Sequence, residues 1–181
     1  MNPSSALPGF NSPAVGFEQP FEMLEACHDR VRRSLALLGK LMAYVADHGH
    51  DAQSRSAAAD VLRYFDLAAP LHHLDEETHV FPLLLEQGDA AVREAVQSLQ
   101  QDHVAMGHLW LRLRLVLLNW RDAEAPATLT ASTQADATSF SALYADHLKT
   151  EEGLVFPQAR SRMDATGLVA MGRQMQARRQ G

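Results

Sequence analysis

The sequence predicts an all-α protein: an up-down-up-down antiparallel four-helix bundle built from two helix-pair repeats. Apolar residues recur at helical spacing through most of the 181 residues, and no segment shows the alternation typical of strands. A His-x-x-x-Glu-Glu pattern followed by Val-Phe-Pro occurs twice, with an offset of 75 residues. Because the connections between the predicted helices are short, we expect neighbouring helices to be antiparallel.

The chain divides into an N-terminal arm, the bundle and a C-terminal helix. Residues 1–19 are rich in Pro, Gly, Ser and Asn, which predicts an extended arm, with a disordered tail as the alternative. Residues 20–162 form the predicted bundle, and residues 163–181 form a short C-terminal helix and tail. We expect the basic residues of 173–179 to lie on a solvated face. The apolar residues expected to pin the arm are Phe10, Val15, Phe17 and Phe21.

The helices follow from apolar periodicity and from the helix breakers between the periodic segments. Pro20 suits the start of the first helix, and Gly49 lies in the turn that ends it. Pro70 and Pro82 are expected to bend the second helix. The predicted helices cover residues 20–46, 54–86, 90–121 and 134–159, with a fifth over residues 164–178.

The composition excludes several classes of partner. The net charge is −6 and charges of both signs are mixed along the chain, so we expect no nucleic-acid surface. No apolar run approaches the ~18 residues of a membrane span. Cys27 is the single cysteine and residues 1–20 contain no Lys or Arg, so we expect a cytoplasmic protein without a disulfide or signal peptide. A monomer or a dimer fits this pattern.

The repeated pattern carries residues of the types that bind transition metals. In each copy the histidine and the first glutamate are four residues apart and share one helix face. A further histidine precedes each pair by 44 residues. Taken singly these are often surface histidines or solvated salt bridges, but their joint repetition predicts two metal ions bridged by both carboxylates. The candidate ligands are His28, His72, Glu76, His103, His147 and Glu151.

Further residues are expected to support this site. Glu77 and Glu152 directly follow the predicted bridging residues and are either acceptors for a ligand imidazole N–H or surface charges. Phe81 and Phe156 are expected to wall the site. Tyr144 lies one turn before a predicted ligand and either donates a hydrogen bond to a bound molecule or packs in the core.

The other histidines have no counterpart at the repeat offset and are left out of the predicted ligand set. Two of them, His79 and His108, are candidates for the entrance to the site. The full set is His48, His50, His73, His79 and His108.

Over about residues 21–160 the repeated His…His-x-x-x-Glu-Glu…Phe-Pro pattern resembles the signature of the hemerythrin-like (HHE cation-binding) proteins. The resemblance implies a non-haem di-iron centre with the four predicted histidines as terminal ligands and Glu76 and Glu151 as bridges. Manganese or zinc are the alternatives to iron. Oxygen-carrying hemerythrins have one more histidine on the third helix, where this chain has Gly107. This difference leaves room beside the metal.

The missing histidine disfavours a reversible oxygen carrier and leaves three hypotheses. The first is a cytoplasmic module that binds or senses O2, NO or peroxide. The second is a di-iron enzyme with oxidase or peroxidase-like, NO-detoxifying or iron–sulfur cluster-repair activity, or a role in iron handling. The third is a zinc-binding or metal-free interaction module. A binding protein is favoured over an enzyme because the sequence shows no separate acid–base pair.

Overall fold

The computed structural model describes residues 15–122 and 128–180, and all regular structure in these ranges is helical. The predicted all-helical class is therefore confirmed. Among the described helices, none combines the length and apolarity needed to cross a membrane. The helices are α1 (Pro20–His48), α2 (Ala52–Arg63), α3 (Ala69–Asp75), α4 (Phe81–Gln87), α5 (Ala90–Asp122), α6 (Ala131–Thr150), α7 (Phe156–Arg162) and α8 (Ala165–Arg178).

Three π-helical turns join the shorter helices into continuous runs over residues 52–87 and 131–162. A proline is the second residue of the helix after each π turn. Proline lacks an N–H and its ring crowds the carbonyl four residues earlier, which in each case belongs to the π turn. A wider turn accommodates that conflict. Bends were expected at Pro70 and Pro82, but helical periodicity did not predict the π turns. The π turns are π1 (Tyr64–Ala68), π2 (Glu76–Val80) and π3 (Glu151–Val155).

Two helices begin earlier than apolar periodicity predicted, because side chains cap their first turns. Asp51 accepts hydrogen bonds from the backbone N–H groups of Gln53 and Ser54, at 2.9 and 3.0 Å. Thr130 accepts the backbone N–H of Thr133 at 3.1 Å. Each cap satisfies N–H groups that have no partner within the helix, so the helices extend back to the capping residues.

The four long runs, α1, residues 52–87, α5 and residues 131–162, surround one interior. Helix α1 packs against α2 and α6, and α5 packs against the same two helices from the other side. The interior contains two apolar clusters. The Trp120 cluster includes Leu38, Met42, Leu117, Trp120 and Phe140. The Phe156 cluster includes Phe21, Leu24, Val96, Phe156 and Met171.

A polar layer separates the two apolar clusters. Along α1, Leu24 belongs to the Phe156 cluster, Val31 belongs to the Trp120 cluster, and His28 lies between them. On each of the other three long runs, the candidate ligands likewise lie between residues of the Trp120 cluster and residues of the Phe156 cluster. The polar layer is therefore covered on both sides by packed apolar side chains, which exclude water and strengthen electrostatic interactions within it.

Helix α8 closes the end of the bundle beside the Phe156 cluster. Its Met171 is fully buried, and its last turn meets the buried carboxylate of Asp75. Arg179 Nη2 lies 2.7 Å from Asp75 Oδ2, and Arg178 Nη1 lies 3.3 Å from Oδ1. The expectation that residues 173–179 form a solvated face is therefore wrong for these two arginines, whose side chains are only 18% and 21% exposed. A buried carboxylate needs a cationic partner, and the arginines supply it.

Residues 15–19, the end of the predicted arm, pack on α8. Val15 and Phe17 are half-buried against the Phe156 cluster. A Cβ atom at Gly172 would collide with the carbonyl oxygen of Phe17, so the close approach of these segments requires glycine there. The rest of the predicted arm, including Phe10, lies outside the described residues.

Candidate metal centre

The structure brings all six predicted ligand side chains together in the polar layer. Five of them are almost completely buried, and the side chain of His103 is 9% exposed. Each long helical run contributes, as the repeat predicted. The contributions are His28 from α1, His72 from α3, Glu76 from π2, His103 from α5, His147 from α6 and Glu151 from π3.

The six side chains form two overlapping sets of four. In each set, one potential ligand atom from every residue lies within 4.8 Å of the others. Glu76 and Glu151 belong to both sets. The geometry therefore has the donor arrangement for two cations that share both carboxylates. The first set adds His28 and His72 to these carboxylates, and the second adds His103 and His147.

The π turns shape the backbone at both shared glutamates. Glu76 and Glu151 are the first residues of π2 and π3, and their backbone carbonyls accept hydrogen bonds from Phe81 and Phe156, five residues later. The wider turn brings each phenylalanine back toward the ligand face. The Phe81 ring lies 5.5 Å from the ring of His103, and the Phe156 ring lies 5.1 Å from that of His28. The phenylalanines thus wall the site.

Many buried polar atoms in this layer have no hydrogen-bond partner in the described structure. They include both oxygens of Glu76 and Glu151 and both ring nitrogens of His72. His72 Nε2 lies 3.1 Å from Glu76 Oε1 and His147 Nε2 lies 3.1 Å from Glu151 Oε1, but neither pair has hydrogen-bond geometry. Buried polar groups without partners are costly and rare. Cations bound by these atoms would satisfy them, so the donor set fits metal binding.

Glu77 and Glu152 accept hydrogen bonds from histidines of other helices. His103 Nδ1 donates to Glu77 at 2.9 Å, and His28 Nδ1 donates to Glu152 at 2.8 Å. Arg32 also donates two hydrogen bonds to Glu152, both at 2.8 Å. With the proton on Nδ1, each imidazole directs the lone pair of Nε2 into the site. This is the arrangement expected of metal-binding histidines.

Besides Glu151, His147 contacts a second carboxylate, that of Asp102, which the sequence did not predict. Its Nδ1 lies 3.3 Å from Asp102 Oδ2, and its Nε2 lies 3.2 Å from His103 Nε2. Two facing imidazole lone pairs repel each other unless a proton or a cation lies between them. At the repeat offset, Asp102 corresponds to Cys27. His72, the counterpart of His147, correspondingly has no partner at Nδ1. The two halves of the site therefore differ in their supporting contacts.

Comparison with known proteins agrees with this geometry. Residues 19–159 match the family model described as the hemerythrin HHE cation binding domain. The chain belongs to this family. It is also 31% identical, over 169 residues, to a Haemophilus influenzae protein described as an uncharacterized protein. That match covers 91% of this chain and 92% of the relative. The predicted family resemblance is confirmed, and cation binding is the function that the family description names.

In this hemerythrin HHE protein, the pKa values of the two shared carboxylates are shifted in opposite directions. Burial raises the pKa of Glu76 well above its usual value, and the charge of Glu151 raises it further. Burial also acts on Glu151, but contacts with His147 and His28 outweigh it and hold the pKa of Glu151 well below its usual value. Burial lowers the pKa of His72 well below its usual value. A cation bound by both carboxylates would favour the deprotonated form of Glu76.

A cavity of about 230 Å³ lies beside the second set of ligands of this hemerythrin HHE protein. Gly107 and Tyr144, both predicted to lie near the site, line it. Most of its other walls are apolar or aromatic. The lining residues are Phe65, Ala69, Pro70, His73, His103, Met106, Gly107, Trp110, Phe140 and Tyr144.

His73 lines this cavity, although it was left out of the ligand set and of the entrance predicted from the sequence. Its ring stacks on that of His103 with 4.0 Å between centroids, and the Tyr144 hydroxyl lies 3.4 Å from its Nε2. Burial and the charge of His103 lower the pKa of His73 to about 3. The spacing of four residues to Glu77 parallels that of the main His/Glu pair and was the available sequence signal. The histidines considered for the entrance, His79 and His108, do not line the cavity.

We expect Glu77→Gln and Glu152→Gln each to weaken metal binding by about 10- to 100-fold, as loss of a partner to a ligand histidine typically does. Glutamine preserves the shape but removes the charge that fixes Nδ1–H toward the acceptor. Competition with a chromophoric chelator measures the affinity. Glu94→Gln, at an exposed position of α5, is the control. Wild-type affinity in both site variants would show that these contacts do not support the ligands.

Proposed function

We propose that this hemerythrin HHE protein is a non-haem di-iron protein that binds or senses a small ligand such as O2, NO or peroxide. The observation that carries the proposal is the sharing of Glu76 and Glu151 between two sets of ligands. Two cations in these sets would each have four protein donors. Such a set leaves room for a further ligand at an ion that prefers about six.

Iron is the metal that we propose, with manganese or zinc as alternatives. The donors are imidazole nitrogens and carboxylate oxygens, and structural zinc sites usually include cysteine. Bound iron would supply redox activity and affinity for diatomic ligands. His28, His72, His103 and His147 are the proposed terminal ligands, and the two shared glutamates are the proposed bridges.

The chain itself would control access and polarity. The Trp120 and Phe156 clusters cover the polar layer on both sides and keep bulk water away from it. Phe81 and Phe156 pack directly on ligand imidazoles. Glu77 and Glu152 hold two of those imidazoles in the tautomer that binds a cation.

We also propose the helix order, domain division, location and oligomeric state that the sequence predicts. Along the chain, the long runs pass alternately from one apolar cluster to the other, which supports the up-down-up-down order. The division into residues 1–19, 20–162 and 163–181 stays a prediction. So do a cytoplasmic location, a monomer or dimer, and a ligand that is neither a nucleic acid nor a membrane.

The first test is metal content, measured on protein purified from iron-supplied cells. We expect about two irons per chain. Absorption spectra of the reduced protein before and after exposure to air should show new charge-transfer bands. A Glu76→Ala, Glu151→Ala double variant should lack both the bound iron and the charge-transfer bands. Zinc or no metal, with an unchanging spectrum, would contradict the proposal and favour a structural interaction module.

A di-iron enzyme that consumes peroxide or NO is the second candidate. The observation that favours it is the Tyr144 hydroxyl, a potential proton donor placed on the cavity beside His103. Consumption of many equivalents of peroxide or NO by the iron-loaded protein would establish turnover. A single stoichiometric reaction would support binding instead.

A further inference from the structure

The cavity beside His103 adjoins only one half of the site. Of the six proposed ligands, His103 alone lines it. Gly107, one turn further along α5, leaves its side open: a Cβ built there has no atom within 4 Å. Pro70 and Gly107 are both exposed, so the cavity reaches the surface between them.

The size and walls of the cavity suit a small molecule. Its volume is about 230 Å³, whereas a water molecule takes up about 30 Å³ and drug-sized ligands occupy pockets of roughly 300–1,000 Å³. Phe65, Phe140 and Trp110 provide apolar walls. A diatomic or triatomic molecule fits this space, and a large organic substrate does not.

Besides His103, His73 and Tyr144 offer polar atoms to the cavity. The indole N–H of Trp110, which also lines it, already donates to Asp66 at 2.9 Å. The separation of 3.4 Å between Tyr144 Oη and His73 Nε2 is long for a hydrogen bond to a hydroxyl. If His73 carries its proton on Nε2, it donates to the tyrosine oxygen, and the tyrosine O–H is free to donate to a guest. An acceptor atom in the cavity would select this tautomer.

We propose that this cavity binds the small ligand, with Tyr144 donating a hydrogen bond to it and His73 orienting Tyr144. The inference rests on the proposed function and deepens it, because it names the half of the site that is open and the residues that recognise the ligand. It also gives His73 a role that does not require it to bind metal.

Azide is a suitable probe because it is triatomic, accepts hydrogen bonds and changes the absorption of ferric centres. Titration of the oxidised, iron-loaded protein measures its affinity. We expect Tyr144→Phe to weaken azide binding about 10-fold or more, as expected for loss of one hydrogen bond to an anion. We expect His73→Leu to weaken it by a smaller factor, since it removes only the partner of the tyrosine.

A third variant tests the cavity by filling it. Gly107→Phe should prevent azide binding while iron content stays at the wild-type level, because the open space beside Gly107 admits a side chain. The matched controls are Tyr44→Phe and His108→Leu, both away from the cavity, which should bind azide as the wild type does. Thermal unfolding of each variant establishes that it is folded.

Two outcomes would overturn the inference. Wild-type azide affinity in all three cavity variants would place the ligand elsewhere. Loss of iron from His73→Leu would make His73 a metal ligand instead of an orienting residue. In both cases an iron-loaded wild-type protein that binds azide leaves the proposed function intact. A wild-type protein without iron would contradict the proposed function itself.

Discussion

His72→Ala and His147→Ala are each expected to lose much of the bound metal and to lower the thermal stability of the purified protein. Each histidine contributes to a different set of four donors, and its Nε2 lies 3.1 Å from a shared carboxylate. Since removing a mere supporting partner costs about 10- to 100-fold in affinity, losing a ligand should cost at least as much. The metal content of the purified variants gives the first measurement.

The loss of stability has a separate cause. Without a cation, Glu76 and Glu151 stay buried with unsatisfied oxygens. Metal binding also stabilises the folded state by mass action, so a variant that binds weakly loses that contribution. His108→Ala, an exposed histidine of α5, is the control and should retain metal and stability. If both site variants retained full metal, the ligand assignment would be wrong.

Replacement of Arg178 and Arg179 by methionine should destabilise the protein by about 3–5 kcal/mol, because it leaves Asp75 buried without a cation. Asp75 is fully buried and both of its oxygens face these arginines. The same change should loosen α8 from the bundle. The arginines do not belong to the metal site, so this effect should not depend on bound metal. Urea unfolding of the metal-free proteins in a chelator measures the difference without a contribution from metal.

Two further variants separate the ion pairs from simple packing. Arg173→Met changes an exposed arginine of the same helix and should leave stability unchanged. Adding Asp75→Leu to the double arginine variant removes the unpaired charge and should restore most of the lost stability, since apolar replacement of a whole buried ion pair is often nearly neutral. A double arginine variant as stable as the wild type would disprove the role of these contacts.

The sequence by itself determined the helical class and the six residues that converge on the polar layer. The helical class follows from local periodicity, and the six residues follow from helical spacing together with the repeat. A spacing of four residues places His72 and Glu76 on one helix face, whatever the helix packs against. The repeat at 75 residues then implies an equivalent pair, His147 and Glu151, from the other half. The family match covers residues 19–159, which include both copies of this pattern.

Only the tertiary structure decided which partners meet those faces. Glu77 and Asp102 contact histidines 26 and 45 residues away, and Asp75 meets arginines more than 100 residues later. Helical spacing shows which face a residue occupies, but the rotation and register of packed helices decide what lies opposite it. The same reason explains why His73, one residue from a predicted ligand, was left out of the predicted site. Its surroundings depend on α5 and α6, not on its own helix.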